Sequence, residues 1–201
     1  MKTQMNNTDR WMIARWEKLQ QMESAMSGAR QRYESIFHDI HKQVRTKHPD
    51  LDRVDVHFSP KEVKNYGGHV IYSRQGWESN FETWPTGIQL YGITLDELSA
   101  SSNDALDIYL FFQTKKTDPR IEDLRQLIAN EAPKVFENTQ FKWHTEDEED
   151  NRTLLWYEMP ERKASLLAMI RNGNEQDFID CIAKHVGIMA GFIPVLDKLM
   201  K

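Results

Sequence analysis

The run from Asp107 to Thr114, DIYLFFQT, constrains the fold more than any other stretch of this chain. Ile108, Leu110 and Phe112 alternate onto one face of a strand, and Tyr109 and Phe111 onto the other. Successive side chains of a strand point to opposite sides, so a strand that is apolar on both sides needs cover on both. The run is therefore read as an interior strand of a sheet. A second apolar run, Gly87–Thr94, precedes it across a polar, turn-rich segment. The rest of the chain is read as strands that pair with this centre and helices that cover it.

Thr8 followed by Asp9 is read as the N-cap of a long helix ending near Lys47, before His48-Pro49. Within it Leu19, Met22, Met26, Ala29, Tyr33, Ile36 and Ile40 recur at alternating steps of three and four, a heptad-like stripe. Such a helix spans roughly 58 Å at 1.5 Å per residue, longer than a compact domain of this size. Its stripe needs a partner helix, either the C-terminal helices of the same chain or a second copy in a homodimer. Further strands are expected at Leu51–Phe58, His69–Ser73, Gln140–His144 and Thr153–Met159. Helices are expected from Asp118-Pro119, from Pro160-Glu161 to Ile170, and from Asn174 onward with Phe178, Ile182, Val186, Met189 and Ile193 on one face. The fold class that follows is α+β. It has a mostly antiparallel or mixed sheet of about six strands, with the long N-terminal helix and the C-terminal helices packed on it. Residues 1–7 are expected to form a flexible N-terminus and residues 8–201 a single domain, since no linker interrupts them.

Charge narrows the partners. The net charge of −5 divides into +4 over residues 1–76, with 13 Lys and Arg against nine Asp and Glu, and −9 over residues 77–201. An acidic whole argues against nonspecific DNA binding, which depends on neutralising phosphates, although the basic half leaves room for a local patch. Cys181, the lone cysteine, excludes an internal disulfide framework and points to a reducing compartment. The N-terminus lacks the apolar core of a signal peptide, and the apolar run Val186–Leu196 is interrupted by Gly187, Gly191 and Pro194. That run is too short to span a bilayer, so a cytoplasmic location without membrane contact is expected.

Candidate chemistry is sparse. Metal-dependent nucleases of the restriction type place an acid on one strand and an acid-x-Lys or Gln-x-Lys on the next, to hold Mg²⁺ and activate water. Gln113-Thr114-Lys115, with Asp107 or Asp104 upstream, fits that variant in part. Asp107 shares a strand with Gln113, so Asp96 or Glu97 would have to complete it. A strand end that simply turns polar accounts for the same residues. His38 and His41 have a metal-binding spacing on the long helix, but no third ligand accompanies them, and no metal is assigned. Cys181 lies beside an apolar helix face and is read as a packing residue. The segment Tyr72–Trp84 places Trp77, Phe81 and Trp84 near Arg74 in an irregular stretch. Aromatics with Arg anchor interfaces and stack on unpaired bases; two of these three rings are read as core.

The order of features resembles a domain of unknown function found beside restriction-type nuclease cores in prokaryotic defence proteins. The resemblance rests on the Trp-containing helix at Arg15-Trp16-Glu17-Lys18-Leu19 and the run Trp84-Pro85-Thr86-Gly87-Ile88. It continues through Phe141-Lys142-Trp143 and a closing helical segment rich in Ile, Met and Phe. It implies a context, foreign-DNA response, and no reaction. The resulting expectation is a non-enzymatic binding or adaptor protein that acts through a protein partner at Arg74, Trp77, Phe81 and Trp84 and needs no cofactor. The alternative is a divergent Mg²⁺-dependent nuclease using Asp107, Gln113 and Lys115.

Overall fold

A computed structural model of the chain describes residues 6–58, 68–77, 86–100, 103–113 and 151–194, with Glu122, Gln126, Asn130 and Asp197. These residues fall into two compact units, Met1–Ser35 and Ile36–Lys201.

The first unit is helical. Helix α1 (Asn7–Ile13) is capped by Asn6, whose side chain accepts from the Asp9 amide at 2.8 Å while the Asp9 carboxylate accepts from the Asn6 amide at 3.0 Å. This reciprocal capping box displaces the start expected at Thr8, because Asn caps as well as any residue and Asp9 completes the pair only from Asn6. The single helix expected over 9–47 is also interrupted. The Arg15 amide reaches the Met12 carbonyl at 3.1 Å, a tightened turn at Ala14–Arg15 that separates α1 from helix α2 (Trp16–Lys47). Helix α2 supplies the rest of the first unit and, from Ile36, the beginning of the second.

Among the described residues, the second unit is built on one antiparallel sheet of five strands in sequential order. Its strands are β1 (Arg53–His57), β2 (His69–Ser73), β3 (Gly87–Tyr91), β4 (Ala105–Gln113) and β5 (Asn151–Arg162). Sequential order follows from neighbouring strands each joined to the next. As the apolar run predicts, β4 is interior: Leu110 pairs with Ile88 of β3 and with Leu155 of β5. The strand expected at Gln140–His144 lies outside the described residues. The fold is α+β, with C-terminal helices on the sheet.

Alternation sorts the side chains onto two faces, and in β2 and β3 both faces are buried. Val70 and Tyr72, Ile88 and Leu90, Leu106, Ile108 and Leu110, and Leu155 and Tyr157 share the inner face and are almost wholly buried. Helices α4 (Lys163–Arg171) and α5 (Glu175–Ala190) follow β5, and α5 lies over β3 and β4. The helical stripe read from the sequence, Phe178, Ile182, Val186, Met189 and Ile193, is buried throughout. The second-unit part of α2 joins this core through Phe37, Ile40 and Val44, with Phe37 edge-on to Phe58 and Phe178. At about 25 cal/mol per Å² of apolar surface, this layer is the main stabiliser of the unit.

Two boundaries differ from expectation. Gly87–Thr94 is a strand only to Tyr91; helix α3 (Leu95–Ala100) follows and packs on α4. Strand β5 runs through Pro160, where a helix was expected to begin. Ala105 pairs with Arg162 but Asp107 with Glu158, so three residues face Leu106 alone, and this bulge accommodates a proline that has no N–H to donate. Asn174 holds the N-cap position of α5, but its side chain makes no capping bond.

Candidate functional site

The first unit presents apolar side chains to solvent. Trp11, Met12, Ile13, Trp16, Met22 and Met26 are 42–59% exposed, and no residue of α1 is buried. Arg15 stands over the Trp11 ring at 4.6 Å, a cation–π contact. The stripe on α2 is thus split: Met22, Met26 and Ala29 are exposed and Leu19 is half-buried, whereas Tyr33 and Ile40 are buried.

The opposite face of the sheet, also largely buried at Ile71, Gln89 and Phe111, carries a row of rings that runs from β1 to β5. His57 stacks on His69 at 4.5 Å, His69 meets Tyr91 at 5.6 Å, Tyr91 meets Tyr109 edge-on at 5.2 Å, and Tyr109 stacks on Trp156 at 6.0 Å. The antiparallel register places these residues on one face, which a sequence reading of single strands does not reveal. Tyr91 donates to Gln89, and Tyr109 donates to Asp107 Oδ2 at 3.1 Å. Burial, and then the negative Asp107 beside it, hold the Tyr109 hydroxyl well above its ordinary pKa, so it stays a donor.

A third cluster lies where β5 meets α5. The His185 ring is buried at 3% exposure between two partners: Nδ1 is 2.7 Å from the Tyr157 hydroxyl and Nε2 is 2.9 Å from Glu161 Oε2. Burial lowers the His185 pKa and Glu161 opposes it. Cys181, one turn before His185, approaches the same carboxylate. Burial, reinforced by Glu161, pushes its thiol up to about 12, which keeps it protonated and a poor nucleophile. The sequence reading took Cys181 as packing and passed over Glu161, Tyr157 and His185. The signal available was Cys181-x-x-x-His185, a spacing that puts both side chains on one helix face.

Trp77 is 3% exposed and donates through Nε1 to Asp197 Oδ1 at 3.3 Å, while the Arg74 guanidinium pairs with Asp197 Oδ2 at 2.5 Å. One carboxylate thus brings Arg74 and Trp77 together. Phe81, Trp84 and Lys115, and the side chain of Gln113, lie outside the described residues. Asp107 is on β4, six positions from Gln113. The register shift between Leu110 and Phe111 leaves the additional residue, Leu154, on β5, so β4 itself continues at about 3.3 Å per residue. His38 is exposed, whereas His41 is buried and donates from Nε2 to the Leu51 carbonyl at 2.8 Å, so the two imidazoles do different work. No helix among the described residues is long and apolar enough to cross a membrane.

Comparison with protein-family models, with curated proteins and with solved structures finds no match.

Proposed function

We propose that this is a non-enzymatic binding or adaptor protein that acts through protein–protein contact, with the helical unit of residues 7–35 as its contact surface. The observation that carries the reading is the set of six large apolar side chains, Trp11, Met12, Ile13, Trp16, Met22 and Met26, each 42% exposed or more. Isolated exposed apolar residues are ordinary, but a concentration of them within one short helical unit marks an interaction site. Trp, Met and Arg are the residue types enriched where proteins meet, and Trp11 with Arg15 forms such an anchor. Five Lys and Arg against four Asp and Glu over residues 7–35 give a nearly neutral surface, suited to a protein rather than to a phosphate backbone. The same surface, bearing part of a heptad-like stripe, fits a second copy of the chain. The context implied by the sequence resemblance, foreign-DNA response, is part of the proposal.

The test is affinity capture from the native host with the full chain and with Trp11→Asp/Trp16→Asp. The reading expects a protein held in fixed ratio to the full chain and lost from the variant, with helix content unchanged by circular dichroism. Equal recovery by both chains contradicts it, as does metal-dependent cleavage of DNA or RNA by the purified protein.

A further inference from the structure

Cys181 and His185 are one helical turn apart on α5, and Glu161 stands opposite them near the end of β5. One ligand atom from each, the thiol sulfur, an imidazole nitrogen and a carboxylate oxygen, lie within 4.8 Å of one another. We propose that Glu161, Cys181 and His185 form a binding site for a zinc ion, with a fourth position open to water.

The donor set supports this choice. Thiolate, imidazole and carboxylate are the zinc ligands, and three protein donors with one open position make a familiar tetrahedral arrangement. Zinc bonds of about 2.0–2.3 Å place neighbouring ligand atoms roughly 3.3–3.8 Å apart. The cluster approaches that spacing. Charge also balances, because one thiolate and one carboxylate neutralise a divalent ion at a largely buried place. The Glu161 side chain, 27% exposed against 3% for His185, gives the ion its entry and the fourth ligand its place.

The second ring nitrogen is already held. Metal-bound imidazoles donate their other N–H to an oriented partner, and Tyr157 stands 2.7 Å from Nδ1. In the metal-free cluster the Glu161 carboxylate accepts from Nε2–H, and Nδ1 accepts from the Tyr157 hydroxyl. Binding moves the imidazole proton to Nδ1, where the Tyr157 oxygen accepts it, and frees Nε2 for the metal. The Cys181 thiol gives up its proton, so one proton leaves per ion bound.

The test uses the full chain, stripped with a chelator and titrated with Co²⁺ and then Zn²⁺. One Co²⁺ per chain is expected, with near-ultraviolet absorption from thiolate-to-cobalt charge transfer that Zn²⁺ abolishes. Cys181→Ser should remove that absorption and weaken zinc binding by about tenfold or more. Glu161→Gln should weaken zinc by about tenfold while keeping the absorption, as expected for loss of one oxygen donor. Absence of the charge-transfer absorption overturns the site, as does a zinc affinity unchanged in both variants, which would assign the metal to surface histidines.

Discussion

Tyr72 lies fully buried on the inner face of β2, and its hydroxyl has no hydrogen-bond partner among the described residues. A buried polar group left unpaired costs about 1–3 kcal/mol, and burial accordingly raises the Tyr72 pKa well above its ordinary value. Tyr72→Phe removes the oxygen and keeps the ring, so it should raise stability by about 1 kcal/mol in urea unfolding; a lower midpoint would mean that the hydroxyl is satisfied. His41 acts through its charge. Burial lowers its pKa from 6.5, the bond to the Leu51 carbonyl opposes this, Arg45 and His38 add to the lowering, and Asp52 opposes it. Since the unfolded chain then binds more protons between the two pKa values, this contribution is complete above about pH 6.5 and is lost as pH falls toward the folded value. The urea midpoint should therefore drop from pH 7 to pH 5, with a shallower drop in His41→Gln. Equal slopes for the two chains would assign the acid sensitivity to other groups.

Helix α3 is held at its start by Thr94 and Glu97. Glu97 Oε2 accepts from the Thr94 amide at 3.0 Å and from the Thr94 hydroxyl at 2.7 Å, and Thr94 Oγ1 accepts from the Glu97 amide at 3.2 Å. The same carboxylate accepts from the Gly68 amide at 3.1 Å, tying the helix to the entry of β2. A Cβ on Gly68 would run into Thr94, so the close approach requires glycine there. Glu97→Ala should cost about 2 kcal/mol by equilibrium denaturation and Thr94→Ala about 1 kcal/mol. Equal and negligible losses would show that the box is incidental. The signal was in the chain, since Thr94-x-x-Glu97 is a capping box, yet the apolar alternation running into Thr94 masked it. Strands β2 and β4 were legible because each is a short, continuous apolar run, a signal that is local in the chain. The row of rings from His57 to Trp156 was not, because it exists only once five separate strands are in register. The Glu161–His185–Tyr157 cluster likewise depends on β5 passing α5, and the reading of Pro160-Glu161 as a helix start concealed it. Asn6 lost to Thr8 in the sequence reading because both are good caps and only the Asp9 pairing distinguishes them.

At the scale of the whole chain, the stripe on α2 is the feature left unfinished. Tyr33, Phe37, Ile40 and Val44 are buried, while Met22, Met26 and Ala29, which continue the same pattern toward the N-terminus, are exposed. Burying a Met- or Leu-sized side chain is worth about 1.5–3 kcal/mol, so a few of these paired across a two-fold axis could hold two chains together at micromolar concentration. Met side chains adapt to such a contact without fixing its geometry tightly. The contact should therefore weaken in steps, with Met22→Asp alone raising the dimer dissociation constant by about tenfold and the further change Met26→Asp raising it again. The decisive measurement is the mass in solution by multi-angle light scattering at micromolar concentration, for the full chain and for Trp11→Asp/Trp16→Asp/Met22→Asp/Met26→Asp. The account predicts twice 23.7 kDa for the former and 23.7 kDa for the latter; a mass of 23.7 kDa for both would contradict it.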